Sequence, residues 1–185
     1  AARLTGGLPF RPVFRRRRRD RPELWVLCDV SDSVRPVAGF LLRLVHAMQA
    51  AFRRTRSFVF ARDLGEATHL FECHAAAEAA ARAFDGWAIP VGASSDYGRV
   101  LAQARDRFRD EGGRRTTLVV LGDARNNRQE PNLAALAELV ERAERLVWLD
   151  PEPRDAWGVG DSEMLRYAPF CDFVAPAGTL AELRE

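Results

Sequence analysis

The chain has no lysine, only three cysteines among its 185 residues, and no apolar run near the ~18 residues that a membrane-spanning helix needs. Without lysine, no ammonium is available to hold a substrate phosphate. Cys28, Cys73 and Cys171 are odd in number, far apart and without a C-x-x-C pair. That argues against a disulfide framework and a zinc cage, and fits a reducing cytoplasm. Ala1 to Arg21 lacks the apolar core of a secretory signal, and no segment suits a membrane. Net charge is small, formally +2, but basic residues crowd the start. The chain opens without methionine at a sequence that reads as mid-protein, so an upstream part is expected.

What is present suits one domain with a full core, since 47% of residues are hydrophobic. Residues 1–22 hold Gly6-Gly7, three prolines and the run Arg15 to Arg19, which predicts a basic arm or linker ahead of a domain at 23–185. The domain is organised around Leu24 to Ser33. Leu24 to Cys28 is an unbroken apolar run, as expected of a strand buried on both faces of a parallel sheet. It stops at Asp29, and oxygen-bearing side chains then recur at Ser31 and Ser33. Open α/β sheets place their ligands at the carboxyl ends of strands. Carboxylate and hydroxyl oxygens without His or Cys suit Mg²⁺, Mn²⁺ or Ca²⁺.

Further along, Val37, Phe40, Leu41, Leu44, Val45, Met48 and Phe52 fall at helical spacing after Pro36. Arg56 to Phe60 and Ala67 to Phe71 are predicted as strands joined by a turn at Arg62-Asp63-Leu64-Gly65, one of them an antiparallel edge. Ala75 to Phe84 predicts a helix ending at Asp85-Gly86. A loop of small and polar residues from Ile89 to Gly98 then opens a helix from about Tyr97 to Phe108, with Ser95 or Asp96 as N-cap. Thr116 to Leu121 repeats the look of the first strand and again ends at a carboxylate, Asp123. A helix through Leu133, Leu136 and Val140 follows, then a strand at Leu146 to Leu149, a short helix near Ser162 to Tyr167 and a last strand near Asp172 to Ala175. The alternation predicts a doubly wound, mostly parallel α/β sheet with helices on both faces.

Asp29-x-Ser31-x-Ser33, Ser95 in a Gly-x-x-Ser-x-x-Gly setting, and Asp123 together resemble the metal-ion-dependent adhesion site of von Willebrand factor A domains. The resemblance covers about Leu24 to Ala175. Within that family it is nearest the CoxE-like bacterial branch, through Cys28-Asp29-Val30-Ser31, Phe40-Leu41-Leu42-Arg43-Leu44 and Leu146-Val147-Trp148-Leu149-Asp150-Pro151. It implies that the hydroxyls of Ser31, Ser33 and Ser95 touch a cation, with Ser94 an alternative to Ser95, and that Asp29 and Asp123 act largely through waters. The usual Thr is Ser95 here, the usual Gly between the serines is Asp32, and Gly122 and Ala124 flank Asp123 in place of Ser and Gly.

The resemblance implies a cation-dependent protein-binding domain that is not an enzyme. It also implies a protein partner supplying an Asp or Glu, a MoxR-type AAA+ ATPase in chaperone-like or metalloenzyme-maturation roles. The rival is a haloacid-dehalogenase-like Mg²⁺ phosphohydrolase, which also sets strand-end aspartates around its ion. That class wants an acid two residues after the first Asp, where this chain has Ser31. His46, His69 and the pair Cys73-His74 lack partners at ligand spacing and read as structural, as do Trp25 and Trp148 within strands. The Arg15 to Arg19 run reads as a solvated linker or docking arm rather than a nucleic-acid reader, since only Phe10 and Phe14 accompany it.

Overall fold

Leu24 to Cys28 are buried without a break because strand β1 (Glu23–Asp29) has a parallel neighbour on each side and is covered on both faces. The computed structural model describes residues 23–52, 54–90, 94–179 and 181–182. The expected basic arm at 1–22, and Gly92 of the Gly-x-x-Ser-x-x-Gly setting, lie outside the described residues. Strands β2 (Thr55–Phe60), β3 (Leu64–Glu66), β4 (Thr116–Leu121), β5 (Arg145–Asp150) and β6 (Phe173–Pro176) complete a six-stranded sheet in the order β3-β2-β1-β4-β5-β6. Every pairing is parallel except β2 with β3, so the sheet is doubly wound with one antiparallel edge, as expected.

The chain builds outward from β1 to β3, then returns to place β4 on the other side of β1. The order therefore reverses between β1 and β4, and a crevice at their carboxyl ends is where such sheets bind ligands. Helices α1 (Arg35–Ala51), α2 (Thr68–Cys73) and α3 (Ala76–Phe84) cover one face, packing Leu41, Val45 and Leu70 against Val26, Cys28 and Leu121. On the other face lie α4 (Tyr97–Glu111), α5 (Leu133–Arg142) and α6 (Met164–Tyr167), where Leu101 and Phe108 meet Trp25, Leu27 and Trp148. Trp25 and Trp148 are both core, as expected.

One expectation is corrected. Ala67 to Phe71 is not a strand; it leads into and forms most of α2, and the antiparallel edge is Leu64–Glu66, inside the expected turn. The buried residues there, Ala67, Leu70 and Phe71, are spaced as one helical face, a pattern that outweighs the β preference of Thr and Phe. Thr68 anchors the helix start: its Oγ1 accepts from the Ser57 N–H at 3.1 Å, and its carbonyl accepts from Gln49 Nε2 at 2.8 Å.

Candidate functional site

Asp29 leaves the end of β1 fully buried, and its two oxygens have different work. Oδ1 accepts the Ser31 N–H at 2.7 Å, closing the tight turn that follows the strand. Oδ2 accepts from Ser95 Oγ at 3.2 Å and from the Tyr97 hydroxyl at 2.7 Å. The turn brings Ser31 Oγ to 3.0 Å from Ser33 Oγ, with Ser31 buried and Ser33 open to solvent. Asp32, which stands where the resemblance has glycine, turns outward to Arg35 at 3.5 Å and leaves the turn intact.

Ser95 rather than Ser94 faces this cluster: Ser95 is 1% exposed, whereas Ser94 lies at the surface. The helix cap falls to Asp96, whose carboxylate accepts the Arg99 N–H at 3.0 Å, so Ser95 is free to point at Asp29. Just beyond β4, Asp123 receives the Arg125 N–H at 2.9 Å on Oδ1 and a hydrogen bond from Ser33. All five residues expected at the site, Asp29, Ser31, Ser33, Ser95 and Asp123, thus meet at the switch point.

Burial pushes the Asp29 carboxyl up to about 7, and the charge of Asp123 adds to the shift. Burial also raises Asp123, against the opposing hydrogen bonds from Arg125 and Ser33. Two desolvated carboxylates beside hydroxyls are an arrangement that a hard cation relieves, and the oxygen-only donor set fits Mg²⁺, Mn²⁺ or Ca²⁺. Among the described residues no three His, Cys, Asp or Glu side chains gather as a metal cage of their own, so any cation held here would need the serine hydroxyls as well.

Sequence reasoning missed several residues here. Tyr97 begins α4 and reads as core, yet its hydroxyl also receives the Ala124 N–H at 3.1 Å and lies 3.4 Å from Asp123 Oδ1. Asn126 is fully buried; its Oδ1 accepts the Tyr97 N–H at 2.7 Å, while Asn127 Nδ2 donates to the Ser95 carbonyl at 2.9 Å. These asparagines fasten the loop after β4 to the loop before α4. Arg125 fastens the same loop to the one after β5, through Glu152 at 2.8 and 3.0 Å and Asp161 at 2.8 Å. The loop pays in backbone conformation, with Ala124, Asn127, Arg128 and Asn132 all at positive φ. Consecutive Asn residues soon after a strand-end Asp were the available signal. Cys73 meets His69 on α2, at 3.4 Å, rather than the adjacent His74, and the pair lies at the surface away from these strand ends.

A family comparison matches residues 1–183 to the VWA domain containing CoxE-like protein family. The chain belongs to that family. Solved structures agree at the level of fold. A von Willebrand factor type A protein from Catenulispora acidiphila matches with a TM-score of 0.59 and 16% identity over 88% of this chain and 40% of that one. An aerotolerance-related membrane protein from Bacteroides fragilis matches at 0.57 and 14% over 88% and 94%, respectively. Proximal thread matrix protein 1 from the mussel byssus matches at 0.50 and 12% over 70% and 38%. No curated protein matches the chain. The chain spans about 40% of the length of the Catenulispora protein. VWA domains generally mediate protein–protein interactions, and this one is such a domain by family. Among the described residues no helix is long and apolar enough to cross a membrane.

Proposed function

We propose that this VWA domain binds a protein partner through a divalent cation, Mg²⁺ or else Mn²⁺ or Ca²⁺, held by Ser31, Ser33, Ser95, Asp29 and Asp123. The observation that carries this reading is the convergence of three serine hydroxyls on two buried aspartates, with Ser33 open to solvent on the rim. When bound, the ion supplies a positive centre on which an incoming carboxylate can settle. The chain's own residues do the rest: the turn after β1 presents the hydroxyls, Tyr97 and Ser95 hold Asp29, and the Asn126 and Asn127 bonds keep the loops in place. Neutral hydroxyl ligands leave such an ion short of negative charge, which favours an acidic side chain from the partner.

Resemblance to the CoxE-like branch motivates a MoxR-type AAA+ ATPase as the proposed partner, in chaperone-like or metalloenzyme-maturation work. Free Cys28, Cys73 and Cys171 are consistent with a cytoplasmic setting. Binding rather than hydrolysis is favoured because Ser31, not an acid, follows Asp29 at the position a phosphohydrolase of the rival class needs. Phosphomonoester turnover is accordingly expected to be absent.

The test is co-precipitation with a purified MoxR-type ATPase from the same organism, in Mg²⁺ and in excess chelator, with wild type and Asp29→Ala. Capture only by wild type in Mg²⁺ is expected. Equal capture in chelator contradicts cation dependence, and no capture in either contradicts the choice of partner.

A further inference from the structure

The site as described leaves one nearby oxygen unexplained. Asp150 ends β5, is fully buried, and has no hydrogen-bond partner at Oδ2 among the described residues, whereas Oδ1 accepts the Glu152 N–H at 2.8 Å. An unpaired carboxylate oxygen in a protein interior is unfavourable and calls for a reason.

Its position supplies one. Cys28 pairs with Leu121 and Leu121 with Leu149, so the next residues along the parallel ladders, Asp29, Gly122 and Asp150, form one row across β1, β4 and β5. Side-chain alternation gives Asp29 and Asp150 the same face: Trp25 and Leu27 precede one, Leu146 and Trp148 the other, and all four lie in the core beneath α4 and α5. Gly122 between them has no side chain, and the Tyr97 hydroxyl occupies the space that a Cβ there would need. Asp123 follows directly, and its negative charge reaches Asp150. Arg125, the nearby cation, bonds Glu152 and Asp161 instead.

We propose that Asp150 is a third carboxylate of the divalent-cation site, reaching the ion through an ion-bound water that Oδ2 accepts from. This rests on the reading of the switch point as a cation site. The water-bridged role follows from the strand between: Asp29 and Asp150 stand two strands apart, and three acidic side chains do not gather as direct ligands among the described residues. A carboxylate at one remove raises the affinity of a hydrated Mg²⁺ or Mn²⁺ without filling a coordination position, so the outward face stays open to a partner's acid.

The test is Asp150→Asn in the full chain, which keeps the acceptor for the Glu152 N–H and the side-chain volume but removes the charge. Mn²⁺ is titrated calorimetrically, and melting temperature is read with and without the metal. Asp155→Asn, which removes an exposed carboxylate of the loop after β5 that takes no part in the site, is the control. The expected result is a rise in the Mn²⁺ Kd of about 10–100-fold for Asp150→Asn, a metal-free melting temperature equal to or above wild type, and little change for Asp155→Asn. Wild-type affinity in Asp150→Asn overturns the inference and leaves the cation site standing. An equal loss in Asp155→Asn also overturns it, as a general charge effect. Absence of saturable Mn²⁺ binding by wild type overturns the cation site and the inference together.

Discussion

The Tyr97 hydroxyl donates to Asp29 Oδ2 at 2.7 Å while receiving the Ala124 N–H at 3.1 Å, so one phenol joins the start of α4 to the ends of β1 and β4. Its ring stacks on Trp148 at 5.7 Å and meets Phe60 edge-on at 5.2 Å, which fixes where the hydroxyl can stand.

Tyr97→Phe keeps the ring and removes that junction. The Ala124 N–H and one Asp29 lone pair lose their buried partner, and stability without metal is expected to fall by about 1–3 kcal/mol. Urea unfolding reads it; an unchanged midpoint would mean that water takes the phenol's place.

Gly122→Ala tests the same junction from the sheet side. The new methyl group would meet the Tyr97 hydroxyl and the Asp29 Cβ, both fixed by their own contacts. Overpacking of this kind is expected to cost about 1–3 kcal/mol and to weaken cation binding along with it. A variant as stable as wild type with full Mn²⁺ affinity would show that Tyr97 can step aside.

Stability should depend on pH in a direction unusual for carboxylates. Burial lifts Asp29 and Asp150 to about 7 in the folded chain, above their ordinary value of 3.8. The folded state therefore holds more protons than the unfolded one between about pH 4 and about pH 7, and stability contributed by these groups falls as pH rises through that window. Metal-free unfolding free energy should be lower at about pH 8 than at about pH 5.5 on their account, with the difference reduced in Asp29→Asn. Because a cation favours the ionised forms, Mn²⁺ binding should release protons below about pH 7 and few above it. Calorimetry in buffers of different ionisation enthalpy measures that release, and none at the lower pH would contradict the raised carboxyl of Asp29.

Partner binding should join the ion to one acidic residue of the partner. Truncating Ser33 or that acid is expected to cost on the order of 2–5 kcal/mol, as when one member of a desolvated charge pair is left alone. Removing both should cost little more than either, because they report one interaction. A double-mutant cycle measures the coupling, and additive losses would contradict a shared contact.

Much of this arrangement was legible in the sequence, for physical reasons. An apolar run covered on both faces shows no alternation, so Leu24 to Cys28 and Thr116 to Leu121 announced central strands, and their terminal aspartates placed Asp29 and Asp123. Neither the contact of Tyr97 with Asp29 nor the row that Asp150 shares with it was legible. An aromatic at a helix start is ordinary core, and an Asp before Pro is an ordinary strand stop; the packing of α4 puts the Tyr97 hydroxyl on Asp29, and the register of β1, β4 and β5 puts Asp150 in the same row two strands away. The strand expected at Ala67 to Phe71 failed because Thr and Phe favour strands locally, while the docking of Thr68 against Ser57 and Gln49 settles the segment as a helix. Ser95 was ambiguous between cap and ligand until Asp96 took the cap.

The most direct measurement is an anomalous difference map from crystals soaked in Mn²⁺. The account predicts one peak at the carboxyl ends of β1 and β4, bordered by the hydroxyls of Ser31, Ser33 and Ser95 and absent in Asp29→Ala. A peak elsewhere on the surface, or none in crystals that tolerate the soak, would contradict the claim that this switch point is built to hold a cation.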